Sequence, residues 1–274
     1  MSPLDTCLNC GTILNGKFCH TCGQKKIEDK ERTLKHFFYQ FFGAAFFLEN
    51  NLIRSLWLLL SRPGFLAAEY LEGRRKRYMA PISLFLLINL VYFFTVSLTD
   101  MNLSLAEQIR QPQHGWLAEV MIEKRLDSRE MKFEEYASAY NEQSTSLSKT
   151  LIILHAPILA AMLTLLFVRK KYYFTDHLVF SLYMIAFVLL LSIILFALFR
   201  FLAKTHVIAP RTFFSWIGYA QLVIYPVYFG FALRRFYRLP VWLTLLSTVA
   251  VMILIILAHF IYRTLLFFIV FWTT

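Results

Sequence analysis

Apolar and polar positions fall into long blocks along this chain. Five stretches are apolar almost throughout: Ala80–Thr99, Thr150–Val168, His177–Ala203, Thr212–Leu233 and Pro240–Tyr262. A helix needs about 20 such residues to cross a bilayer, so the pattern predicts five transmembrane helices. Pro81 stands near the start of the first, where a missing N–H is harmless. Pro157 and Pro226 predict kinks in the second and fourth. The fifth would run about 34 Å at 1.5 Å per residue, with Arg263 at its exit as an interfacial anchor. Thr264–Thr274 then reads as an aromatic surface tail or a helical extension.

The polar blocks carry structure too. Asp100–Lys149 keeps helical spacing at Leu117, Val120, Met121, Phe133, Tyr136, Ala137 and Tyr140, which predicts a helical hairpin or cap. Residues 27–79 read as a charged linker followed by an aromatic segment and a basic turn. The uncharged run His36–Leu48 has 13 residues, too few to span. Short helices lying at the membrane interface over 36–62 are expected, with a re-entrant hairpin as the alternative. Arg62-Pro63-Gly64 breaks that segment.

Composition agrees with a membrane protein. Of 274 residues 58% are hydrophobic and 16% charged, with mean hydropathy +0.55, which excludes an ordinary soluble domain and a disordered chain. The net charge of +11 would suit nucleic acid, but the excess lies in short clusters beside apolar segments. That is the pattern of topology signals and anionic-lipid contacts, so nucleic-acid binding is not expected. Arg74, Arg75, Lys76 and Arg77 directly precede the first span and read as an anchor on lipid headgroups. The first 35 residues hold no apolar core of the kind a signal peptide needs. With the N-terminus inside, basic residues favour the inner flanks, and five spans place the C-terminus outside.

The sharpest chemistry is at the N-terminus. Cys7-Leu8-Asn9-Cys10-Gly11 and Cys19-His20-Thr21-Cys22-Gly23 form a C-x2-C-x8-C-x2-C pattern. Paired knuckles of this spacing are the ligand geometry of a four-cysteine zinc site. Gly11 and Gly23 permit the positive φ that each tight turn requires. Thr12–Phe18 predicts a small β-hairpin turning at Asn15-Gly16 in type I′ form. Residues 1–26 are therefore expected to be a ribbon holding one structural Zn2+ on Cys7, Cys10, Cys19 and Cys22, with Lys17, Lys25 and Lys26 offsetting thiolate charge. The fold class expected overall is an all-α polytopic membrane protein, residues 80–274, carrying this module.

These residues, together with Phe18–Gln24, Arg62-Pro63-Gly64, Gly73–Tyr78 and Tyr173–Phe180, resemble an uncharacterised family of bacterial membrane proteins that join a zinc ribbon to several membrane helices. The resemblance implies zinc in the ribbon and residence in the inner membrane. It implies no reaction.

Ionisable residues within spans are functional candidates by default. Here they are His155, Asp176, His177 and His259, joined by Gln221. The bland reading makes Asp176 or Thr175 a helix N-cap and the histidines hydrogen-bonding groups between helices. His177 should lie near the inner face and His259 near the outer, which argues against one shared site. No G-x-S-x-G, H-E-x-x-H, P-loop or G-x-G-x-x-G occurs, and nothing marks an enzyme. A membrane-anchored adaptor whose cytoplasmic ribbon binds a protein partner is the expected function, with a small-molecule or lipid permease as the alternative.

Overall fold

The computed structural model describes residues 6–26, 51–95, 103–112, 114–204 and 210–274, without the side chains of 149, 203, 204 and 210–217. The predicted aromatic stretch 36–50, including the call for an interfacial or re-entrant segment there, lies outside them. The chain forms two compact units, one of residues 1–95 and 160–252 and one of residues 96–159 and 253–274.

The first unit begins with the cysteine module and continues into helices α1 (Leu52–Ser61) and α2 (Phe65–Leu71). α1 buries Ser55, Leu58 and Leu59 while Ile53 and Trp57 face out. It stops at Arg62-Pro63-Gly64, where Gly64 takes φ +69°. A Cβ there would lie 2.6 Å from the Ala232 carbonyl oxygen, so only glycine lets this corner approach the neighbouring helix. α2 ends in a Schellman motif, with Gly73 N–H donating to the Tyr70 carbonyl and Arg74 N–H to that of Glu69. Gly73 supplies the left-handed φ of +87° this needs.

α3 (Pro81–Thr95), α4 (Phe174–Lys204), α5 (Pro210–Tyr237) and the first part of α6 (Val241–Thr273) complete the unit. α3 packs along α4. The Met79 backbone is satisfied on both sides by buried side chains, its N–H donating to Ser55 Oγ and its carbonyl accepting from Tyr183 Oη, each at 2.9 Å. Tyr228 Oη donates to the Leu59 carbonyl at 2.5 Å, and Arg235 reaches the Pro63 carbonyl at 2.7 Å. Together they tie α5 to the α1–α2 corner.

The second unit is helical. Helix α7 (Leu105–Ile109) opens with a capping box between Ser104 and Glu107. α8 (Gly115–Arg129) and α9 (Phe133–Thr150) follow, joined by a turn through Glu130 at φ 51°. Their core is Ala118, Ile122, Tyr136 and Tyr140 against Tyr262, Leu266, Phe267 and Phe271. The C-terminal stretch is thus a helical extension of α6 with a buried face. A short 3-10 turn, Leu151–Leu154, leads into α10 (His155–Leu166), of which residues 155–159 belong to this unit and 160–166 to the first.

A helix stands at each predicted span, but the lengths differ from expectation. Among the described residues two helices, Phe174–Leu202 and Val241–Thr273, are long and apolar enough to cross a membrane. A third is gained if Phe133–Ser148 and Leu151–Leu166, bent by 60°, count as one. The described part of α3 has 15 residues and ends where residues 96–102 lie outside the described set, and α10 has 12. α5 has 28 residues and runs through the predicted fourth span, with Arg234 and Arg235 in its last turn.

A four-thiol centre and the glutamine that clasps it

The two knuckles repeat one another bond for bond. Cys7 N–H donates to the Thr12 carbonyl and Gly11 N–H to that of Cys7; Cys19 N–H donates to the Gln24 carbonyl and Gly23 N–H to that of Cys19, all at 2.8 Å. Gly11 and Gly23 sit at φ +78° and +69°, as the spacing predicts. Isolated bridges join Thr6 to Ile13 and Phe18 to Lys25, so each knuckle is closed by its own flanking residues. The predicted hairpin over Thr12–Phe18 is absent, and neither Asn15 nor Gly16 has the positive φ of a type I′ turn. The ladder closes each turn around its cysteine pair, and the link between them is left as a bend.

This folding brings all four sulfurs within 4.8 Å of one another. The cross-knuckle pairs Cys7–Cys22 and Cys10–Cys19 are 3.5 Å apart. Ligands at about 2.3 Å from a tetrahedral ion are about 3.8 Å apart, so the four thiols fit a metal ion with little movement. The Thr12 hydroxyl, 3.3 Å from Cys10 Sγ, and the Thr12 backbone lower the Cys10 thiol to about 6. Cys19 is lowered by the backbone N–H of Cys22. Burial raises Cys7 to about 11. Cys7 and Cys10 thus differ widely in acidity without a metal, and an ion is what makes four thiolates compatible in so small a volume.

The residue after the second knuckle has a role that spacing did not suggest. Gln24 is buried, and its side chain lies on the basic turn: Nε2 donates to the Gly73 carbonyl at 2.8 Å and Oε1 accepts from Arg75 N–H at 3.2 Å. The amide thereby acts like a strand partner for the chain leaving α2. Its backbone is held by Cys19, so the knuckle positions the clasp. Asn51 adds a bond to the Lys76 carbonyl at 3.1 Å. Gln24→Ala should free the ribbon from the turn, since each lost buried bond is worth about 1–3 kcal/mol. The check is limited trypsinolysis, where cleavage at Arg74–Arg77 should rise about tenfold while bound metal stays constant.

The four-residue basic cluster divides in two. Arg74 pairs with Glu69 and Glu72, and Arg238 joins Glu72 at 3.1 Å. Arg75 lies over the Tyr70 ring at 4.5 Å. Lys76 and Arg77 are exposed. Two of the expected anchor residues are therefore structural fasteners of the turn.

The polar residues of the apolar helices do not form one group. α4 begins at Phe174, earlier than expected, so Asp176 lies inside the first turn and its carboxylate accepts from Tyr173 N–H at 2.9 Å. This is the backward half of a capping box, and neither Asp176 nor Thr175 is the N-cap itself. His177 Nδ1 lies 2.7 Å from Tyr237 Oη. Gln221 is partly buried on α5. In the second unit His155 Nε2 and His259 Nδ1 are 3.3 Å apart. His114, not singled out by its sequence context, is buried with Nε2 2.9 Å from Gln108 Oε1 and Nδ1 3.3 Å from Thr264 Oγ1. Burial, with Arg263 adding to it, holds its imidazole below the usual value.

Residues 49–93 match the model of a family described as protein of unknown function (DUF3667). The match runs from just before α1 through the α1–α2 corner and the clasped basic turn into α3. No curated protein and no solved structure matches the chain significantly.

Proposed function

We propose that this protein is a membrane-anchored adaptor. A zinc ribbon on the cytoplasmic side recognises a protein partner, and the helical domain holds it at the inner membrane. The observation that carries this is the ribbon surface. Leu8, Ile13 and Phe18 are 53%, 56% and 62% exposed on a module whose fold needs none of them in a core. The same module holds a hollow of about 270 Å³ lined by Leu14, Gly16, Lys17, Lys25 and Lys26. Three exposed apolar side chains on so small a module suit an interaction surface, and Lys17 and Lys25 favour a partner segment that sets acidic residues around an apolar side chain.

Zinc is the ion this donor set suits, since four soft thiolates in a closed tetrahedron leave no position for substrate. Its role is therefore to fold the recognition surface. The charge pattern supports a cytoplasmic N-terminus, and counting the helix at each of the five predicted positions as a crossing puts the C-terminus outside. Asp176 and His177 are engaged as a helix cap and a tyrosine partner, which favours the ribbon over a polar path through the helices as the working part.

A photocrosslinking residue in place of Phe18, used in living cells, should join the chain to another protein, with the yield falling at least fivefold when Lys17→Glu is added. Crosslinks to lipid or to the chain itself alone would contradict the adaptor.

A further inference from the structure

The corner where α1 meets α2 carries three arginines laid against two aromatic rings. Phe65 and Tyr78 meet edge to face, with centroids 5.7 Å apart. The guanidinium carbons of Arg62 and Arg235 stand 5.7 and 6.0 Å from the Phe65 centroid, and that of Arg54 stands 5.2 Å from the Tyr78 centroid. Cation–π contact orients a guanidinium without consuming its N–H donors. Arg235 uses one donor on the Pro63 carbonyl, which fixes its head and leaves its other N–H groups available. All three side chains are exposed. Among the described residues none of them pairs with a carboxylate, whereas Arg74 and Arg238 take up Glu69 and Glu72. Uncompensated positive charge is thus concentrated around one pair of rings.

Two further features set this charge at a membrane boundary. Tyr237, two residues beyond Arg235, meets His177 at 2.7 Å in the first turn of α4. Arg235 therefore stands level with the start of an apolar helix long enough to cross a bilayer. Along α5, Val223, Val227 and Phe231 precede Arg235 at four-residue intervals and are all exposed, so they form one row that ends at the guanidinium. Such a row offers nothing to a free phosphate ion and suits an acyl chain.

We propose that this corner is a headgroup site for an anionic phospholipid, with the phosphate held by Arg62 and Arg235 and an acyl chain lying along Phe231, Val227 and Val223. Arg54 adds its charge from the neighbouring ring. Guanidinium N–H groups match phosphate oxygens in geometry and charge, and basic pockets between helices at a membrane face bind anionic headgroups. The close approach of Gly64 to Ala232 is what brings the two arginines, far apart in sequence, to one ring. The site asks nothing of the ribbon, so lipid binding and partner capture can fail separately.

The test is native mass spectrometry of the full chain in detergent, titrated with phosphatidylglycerol, with phosphatidylcholine of the same acyl chains, and with inorganic phosphate. The first phosphatidylglycerol should bind at least tenfold more tightly than phosphatidylcholine. Arg62→Gln removes a side chain that makes no hydrogen bond among the described residues, so the corner stays folded; it should cut that preference about fivefold. Arg62→Gln/Arg235→Gln should abolish it. Arg169→Gln/Lys171→Gln, an equal loss of charge just before α4, should leave it within twofold. Phe231→Ser should weaken both lipids alike and keep the headgroup preference. Equal binding of the two lipids, a preference that survives Arg62→Gln, an equal fall in Arg169→Gln/Lys171→Gln, or displacement of phosphatidylglycerol by equimolar phosphate would overturn the proposal.

Discussion

Replacing Cys7 and Cys10 with serine, or stripping the metal with a strong chelator, unfolds the ribbon and leaves the helices standing. Residues 6–26 hold two isolated bridges and a handful of turn bonds, and their large apolar side chains Leu8, Ile13 and Phe18 face outward. Such a segment cannot offset the entropy of ordering about 20 residues at roughly 1–2 kcal/mol each. Structural zinc supplies on the order of 10–16 kcal/mol in comparable small modules, so its loss decides the outcome. The consequence reaches the basic turn, because Gln24 bonds Gly73 and Arg75 only while Cys19 holds its backbone. Hydrogen exchange should show amides of residues 6–26 at unprotected rates and faster exchange at Arg75, with α4 and α6 unchanged. Persistent protection of Cys7, Gly11, Cys19 and Gly23 in the double variant would contradict it.

Gly64→Ala should strongly destabilise the first unit. Its φ of +69° costs an L-residue about 1–2 kcal/mol. The added Cβ would sit 2.6 Å from the Ala232 oxygen and 2.8 Å from its Cα. Both obstacles are helix backbone, so the α1–α2 corner must move away, and the bonds from Tyr228 to Leu59 and from Arg235 to Pro63 go with it. A loss of about 4 kcal/mol or more follows from strain and broken buried bonds together. Gly16→Ala, with open space around its Cβ and no positive φ, should fall within about 0.5 kcal/mol of the parent. Thermal unfolding in detergent with a size-exclusion readout separates the two, and equal midpoints for both variants would disprove the close approach.

What the sequence disclosed and what it hid follow from the range of the interactions. The metal centre was legible because its four ligands and two turn glycines lie within seventeen consecutive positions and each has one chemical task. The hairpin was misread because Asn15-Gly16 carries a strong turn signal, whereas pairing is set by the residues flanking each knuckle. Gln24 is adjacent to the motif, yet its partners are 49 and 51 residues away. No local pattern announces them. His155 and His259, 104 residues apart, were recognised singly as costly intramembrane groups. Their meeting required the fold. The 60° bend between Phe133–Ser148 and Leu151–Leu166 was not legible either, because an apolar run does not report where the helix inside it bends.

The central claim is that the metal folds a surface and the surface binds a protein. Quantitative co-purification in mild detergent tests it, comparing the parent chain with Cys7→Ser/Cys10→Ser and with Phe18→Ser/Lys17→Glu, the latter checked for unchanged metal content. One protein lost from both variants, and restored to neither by added zinc, is the predicted result. An identical inventory from all three chains would contradict the adaptor and move the function to the helices.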